Sequence, residues 1–221
     1  MMPTVKIWRD LRRAGRRFIR DREALAAIEF AFIVPLMLVL FFGTVEFSQG
    51  VAIGRKVALT AGTLSSLMSE TPAPAGAVVP TVADVDLQNM FTASISIMPP
   101  YSPTPTKAQI SEIYIDLSRN ATVSWSKAAT VGAGATQATL TTSTRNVGDN
   151  VTSFIPSQLL IPQTYLILSE VSYRYVPAVG YVMAPAGINL SDVSYSRPRL
   201  GTCIVYNNVP AITNSACPLP P

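Results

Sequence analysis

The chain has 221 residues, no histidine, two cysteines and a formal charge of +4. That length suits one core-bearing domain of ordinary size plus one further segment, and the missing histidine removes the commonest general base and metal ligand. The positive charge is not a nucleic-acid footprint, because residues 1–23 hold eight Lys or Arg against three acids whereas residues 54–221 hold nine against eight.

Residues 1–23 read as a basic leader, and residues 24–53 as a transmembrane helix. Sixteen uncharged residues, 30–45, lie between Glu29 and Glu46 and would span roughly 24 Å at about 1.5 Å per residue, slightly short of the roughly 30 Å hydrocarbon layer. A carboxylate at the edge of lipid is costly and calls for compensation. Pro35 leaves the Ala31 carbonyl without its helical donor, so the run either kinks or packs among other helices. A buried helix of a soluble domain is the bland alternative, and the flanking arginines oppose it. A cleavable secretory signal competes too, but residues 47–54 offer only a poor Ala-x-Ala-like site, which favours a retained anchor. Arginines at 12, 13, 16, 17, 20 and 22, against Arg55 and Lys56 beyond the run, keep the leader cytoplasmic and place the rest of the chain outside.

Residues 54–70 extend the helix beyond the bilayer, with Val57, Ala61, Leu64 and Met68 as its apolar stripe; Gly54 and Gly62 weaken it. Residues 71–80, rich in Pro and Gly, are a linker, and residues 81–221 form the extracytoplasmic domain. Thr81 and Asp84 fit a capping box opening a helix through about Phe91 or Ala93, with Val82, Val85 and Met90 facing inward. After a proline-rich break at 99–105, Ile113, Ile115 and Leu117 alternate with polar neighbours, as do Ala121, Val123 and Trp125, predicting a hairpin turned at 118–120. The Ala, Thr and Gly-rich tract 128–146 reads as a surface connection with a strand near 137–142. In a strand over 164–176, Tyr165, Ile167, Val171, Tyr173 and Tyr175 share one face and Leu166, Leu168, Glu170 and Arg174 the other. Short strands are expected at 194–196 and 202–206. The fold class is therefore α+β: a long N-terminal transmembrane helix continuing into a small domain with a mainly antiparallel sheet. Cys203 and Cys217 lack metal or redox spacing; a disulfide is the favoured reading in an oxidising compartment, two unpaired thiols the other.

The stretch Ala24-Leu-Ala-Ala-Ile-Glu-Phe-Ala-Phe-Ile-Val-Pro35 resembles the N-terminal motif of the TadE and TadG-like pseudopilins of the bacterial tight-adherence (Flp) type IV pilus systems. In that family a basic leader ends in a small residue, usually glycine, followed by four mostly apolar residues, a glutamate, an aromatic residue and an apolar helix with an early proline. Tyr165-Leu-Ile-Leu-Ser-Glu-Val-Ser-Tyr-Arg-Tyr-Val-Pro177, followed by Tyr195-Ser-Arg-Pro-Arg199, resembles the family's C-terminal strand and Arg-Pro-Arg segment. The resemblance implies a bacterial inner-membrane protein with a periplasmic domain, cut between Ala24 and Leu25 by a prepilin peptidase. Glu29, Phe30 and Pro35 then serve assembly, with Glu29 fifth from the new N-terminus, where amine and carboxylate neutralise each other. Alanine stands where glycine is usual, and an unprocessed anchor of the same fold is the alternative. Expected partners are membrane lipid, other pilin-like subunits, pilus assembly proteins and the peptidase, with no nucleic acid.

Catalytic patterns are missing from the sequence. It has no Gly-x-Ser-x-Gly elbow, Ser126 and Lys127 would point to opposite faces of a strand, and Asp84 with Asp86 lacks the further oxygen ligands of a calcium loop. The expectation is a non-enzymatic protein with no cofactor and no metal. Two functions are carried forward: a pseudopilin acting through its helix, and an anchored binding domain whose tyrosine-bearing sheet is the ligand surface.

Overall fold

The structure is a computed structural model that describes residues 22–77, 79–177, 187–206 and 217. The basic leader thus lies outside the described residues, apart from Arg22 and Glu23. Helix α1 (Arg22–Ser69) runs without interruption through Pro35. The chain divides into two compact units, Met1–Ser48 and Gln49–Pro221; among the described residues the first holds the apolar part of α1, and the second holds the rest of α1 and the sheet. Ile53 already belongs to the core of the second unit, only 1 % exposed.

In the second unit β1 (Thr81–Val82) leads to α2 (Asp84–Ile95), followed by β2 (Thr106–Ile115), β3 (Ala121–Thr130), β4 (Thr139–Thr141), β5 (Thr164–Tyr175), β6 (Ile188–Ser196) and β7 (Val205–Tyr206). The main sheet has the order β4-β3-β2-β5-β6, with every neighbouring pair antiparallel, and β1 pairs in parallel with β7. The fold is α+β. The Val57, Ala61, Leu64 and Met68 stripe joins Leu87 and Phe91 of α2 and Ile110, Ile167, Val171 and Tyr173 of the sheet in one core. A second core on the opposite face joins Ile113, Ile115, Ala121, Val123, Leu166 and Leu168 to Val151 and Ile155. Both sides of β5 are therefore covered over its first half, which explains its nearly continuous apolar sequence.

Several sequence expectations need correction. Trp125 does not share a face with Val123. The β2–β3 register shifts at Glu112/Ile113, so that Glu112 faces Trp125 and Ile113 faces Val123; one extra residue, Ser124, reverses the side-chain alternation and sends Trp125 to the helix-facing core. Leu117 belongs to the turn and is 72 % exposed, because Asp116 accepts the Asn120 backbone N–H at 2.7 Å and stops the strand. The helix begins two residues late: Thr81 is held in β1 against Val205, Ala83 is the N-cap, and the Asp86 carboxylate accepts the Ala83 N–H at 3.1 Å. Val85 consequently points outward, and Leu87, Phe91, Ser94 and Ile95 form the buried face. The strand near 137–142 is limited to Thr139–Thr141. β6 begins at Ile188 rather than Ser194, its pairing with β5 overriding a polar sequence. β7 holds only Val205 and Tyr206, since the Ile204 backbone is bonded to side chains instead.

Candidate functional site

The first unit presents apolar surface in every direction. Leu36, Met37, Leu38 and Val39, about one full turn, are 62, 63, 48 and 70 % exposed. A helix of a soluble domain would bury one stripe of such a turn; a helix apolar all round suits lipid. Residues 26–69 hold one stretch long and apolar enough to cross a membrane, with none of its most apolar window buried. The polar side chains within the run close on the helix itself: the Thr44 hydroxyl donates to the Leu40 carbonyl at 2.7 Å, and Ser48 to the Thr44 carbonyl at 2.8 Å.

Glu29, Phe30 and Pro35 all lie on this helix, and all three are exposed. Ala24 and Leu25 lie in its first turns, where only the backbone is described. The two cysteines belong to the other unit, where Cys203 and Cys217 are bonded at an S–S distance of 2.06 Å. Residues 197–199, the Arg-Pro-Arg segment, follow β6 and tie it to the end of α1: the Arg199 N–H donates to the Ser69 carbonyl at 2.8 Å, and its guanidinium pairs with Glu70 at 2.6 Å. Gly201 next to it is required by space, since a Cβ there would lie 2.4 Å from the Pro80 ring.

The tyrosines of β5 form no ligand surface. Tyr165, Tyr173 and Tyr175 are 6, 6 and 9 % exposed, and the last two pack in the helix-facing core. Burial raises the Tyr165 hydroxyl above the usual phenol range, with the Glu112 charge adding to it. Cross-strand packing is their role, as Tyr114 against Tyr165 shows at 5.1 Å between ring centres.

The polar group that sequence reasoning missed is Glu112. It is completely buried, and its two oxygens accept the Trp125 indole N–H at 3.0 Å and the Ile204 backbone N–H at 2.5 Å. The same indole N–H reaches the Ile204 carbonyl at 2.7 Å. Burial pushes the Glu112 carboxyl up to about 8, against the two N–H donors that pull it down. The group clasps the chain next to Cys203 onto the sheet. Its sequence signal was a carboxylate at even spacing from Ala108 and Ile110, the apolar residues of one strand face. On the outer sheet face Arg145 grips Glu170 through two nitrogens, both at 2.7 Å, and Gln109 bridges Glu170 to Thr144. These contacts tie the segment after β4 to the outer face of the sheet. Asp84 accepts the Tyr206 hydroxyl and Asp86 caps α2, so each carboxylate already has a structural partner. Among the described residues no group of three His, Cys, Asp or Glu is placed to hold a metal. Ser126 bonds Ser111 at 2.7 Å and Ser143 at 2.6 Å, whereas Lys127 lies over the Tyr206 ring; the pair splits across the sheet.

Residues 25–61 match the family model for TadE-like protein. The N-terminal helix is TadE-like. The match begins at Leu25 and stays within α1, leaving the sheet outside it. No curated protein and no solved structure matches the chain.

Proposed function

We propose that the chain is a non-enzymatic, single-pass membrane pseudopilin that assists assembly of a tight-adherence pilus through its N-terminal helix, with the leader in the cytoplasm and the sheet domain in the periplasm. The carrying observation is the TadE-like match from Leu25 over a helix that is apolar all round and holds Glu29 and Pro35. Glu29 is fifth from Leu25, in reach of an amine released by cleavage after Ala24. A tether alone needs neither a carboxylate nor a proline in its apolar run, and both are costly in lipid.

Replacement of Glu29 by alanine tests the role. Glu29→Ala is expected to reduce pilus display and co-purification of pilin-like partners while the protein still reaches the membrane; unchanged display and association would refute it. Exchange of residues 25–48 for an unrelated anchor separates this role from a tethered binding domain, which would keep its function. The N-terminal mass of the mature protein decides processing, with a start at Leu25 expected.

A further inference from the structure

The buried carboxyl of Glu112 has charged and titratable groups on several sides, and none of them is a cation paired with it. On β5, Ile167 lies opposite Glu112 in the ladder, and the Glu112 charge opposes ionisation of the nearby Tyr165 hydroxyl. On β3, Lys127 lies over the Tyr206 ring, 4.7 Å from its centre. On α2, Asp84 accepts the Tyr206 hydroxyl, and at the end of α1 Glu70 pairs with Arg199. The linker and β1, residues 71–83, hold no charged residue, and residues 178–186 and 207–216 contain no lysine or arginine. The two ion pairs among the described residues, Arg145–Glu170 and Arg199–Glu70, leave Glu112 out. A carboxylate sealed from solvent with two N–H donors and no cation is costly as a charge, so this site favours the neutral acid.

What the carboxyl holds is a short strap, residues 203–206. Cys203, Ile204 and Tyr206 are buried, and Ile204 and Tyr206 belong to the helix-facing core. Ile204 spends both backbone groups on side chains of the sheet, its N–H on Glu112 and its carbonyl on the Trp125 indole. The strap's own ladder is slight. It pairs with β1 at Thr81–Val205 and Val82–Tyr206 alone, and the Val205 N–H donates to the Pro80 carbonyl at 2.9 Å, whereas the β2–β5 pairing runs unbroken from Thr106 to Ile115. So short a pairing does not hold itself; the strap relies on the Glu112 contact and on the packing of Ile204 and Tyr206. Lifting it would bring water to the carboxyl and leave the main sheet paired.

We propose that Glu112 is a proton-operated latch: as the neutral acid it holds residues 203–206 closed over the helix-facing core, and its ionisation opens that strap locally, ahead of the main sheet. The latch lies wholly within the second unit and does not depend on the pilus reading of α1. Burial pushes the closed carboxyl up to about 8, against an ordinary 4.5 in water, so the closed strap holds the proton more tightly than the open one. Closure is therefore strongest below about pH 4.5, weakens as pH rises toward 8, and has lost this contribution above it. Between pH 6 and pH 8 the opening equilibrium grows about fiftyfold.

Hydrogen exchange of the full-length, disulfide-oxidised protein in detergent micelles tests the latch. Mass spectrometry follows fragments covering 202–206 and β5, and exchange is expressed as protection relative to the unstructured chain, which removes the intrinsic effect of pH. Protection over 202–206 should fall about fiftyfold from pH 6 to pH 8 and stay below that of β5 throughout. It should not respond to about 1 M urea, because a local opening exposes little surface, whereas β5 protection should respond. In Glu112→Gln the fall with pH should vanish. Strap protection that stays constant from pH 6 to pH 8, or that matches β5 in level and in urea response, overturns the latch, and so does a fall that persists in Glu112→Gln. Should that variant lose its β5 protection and hence its fold, the wild-type comparison in pH and urea decides alone.

Discussion

Glu112→Gln should abolish a pH dependence of stability that the buried carboxyl imposes. The folded value of about 8 lies above the ordinary 4.5, so the folded state holds this proton more tightly than the unfolded state. The stabilising contribution is complete below about pH 4.5, falls as pH rises toward 8 and is lost above it. At about 1.36 kcal/mol per pH unit, the interval corresponds to a decline on the order of 5 kcal/mol. Glutamine keeps an acceptor for one N–H and removes the titration. The neutral amide should therefore cost stability at pH 5, where its added N–H donors have no partner set for them, and gain on wild type as pH rises. Trp125 touches the carboxylate and reports the site; Trp8→Phe removes the other tryptophan. Urea unfolding in detergent micelles at pH 5, 6.5 and 8, followed by Trp125 fluorescence, gives the difference between wild type and variant, in which all other titrations cancel. A difference that stays constant from pH 5 to 8 would refute the reasoning.

Removing the disulfide by Cys203→Ser with Cys217→Ser should lower stability by about 3 kcal/mol for a closed loop of this size; melting with and without reductant checks it, reductant shifting only the wild type. Arg145→Ala should cost more than Arg199→Ala, because the Arg145 side chain is 13 % exposed and grips Glu170 twice, whereas Arg199 and Glu70 are 60 and 57 % exposed; about 1 to 3 kcal/mol against less than about 1 is expected from denaturant midpoints. Gly201→Ala should destabilise by about 1 to 3 kcal/mol through its collision with Pro80. Gly62→Ala meets nothing within 4 Å and should stabilise the helix by up to about 1 kcal/mol, seen as a higher melting temperature; a loss would indicate a neighbour at that position.

The apolar stripe of α1, the β2–β3 hairpin and both faces of β5 could be read from period alone, because each has a face buried against a single neighbour. What escaped the sequence depends on partners far along the chain. The bulge at Ser124 has no local signature, and without it Trp125 falls on the wrong face. β6 reads as a polar coil, Asn189, Ser191, Asp192 and Ser194 among its residues, since an edge strand is held by backbone bonds to β5 more than by burial. Thr81 has good capping chemistry, but a parallel pairing with residues more than a hundred positions away takes its backbone first. For the candidate site the register Leu25, Glu29, Phe30 and Pro35 was visible at once, since it lies within a single helix. The Glu112 clasp needed three distant segments and was not.

Helix α1 meets two surroundings without any change in its backbone, because its hydrogen bonds are internal to the segment. The change is confined to the side chains. Up to Ser48, the Thr44 and Ser48 hydroxyls bond back to the carbonyl four residues earlier; beyond it Thr60 and Ser69 still bond back to their own helix, but Ser65 also meets Ser194, and the Ser65 carbonyl accepts the Ser196 hydroxyl. The apolar pattern likewise shifts from all-round exposure to the single stripe from Ile53 to Met68. Pro35 is the exception to this self-sufficiency, since it removes the donor for the Ala31 carbonyl. An acceptor without its helical donor, two residues beyond Glu29, puts two costly polar groups on the same exposed apolar segment. A helix that only had to hold a domain at the membrane would be better without either, so their presence together favours neighbours that supply donors and charge over an isolated tether.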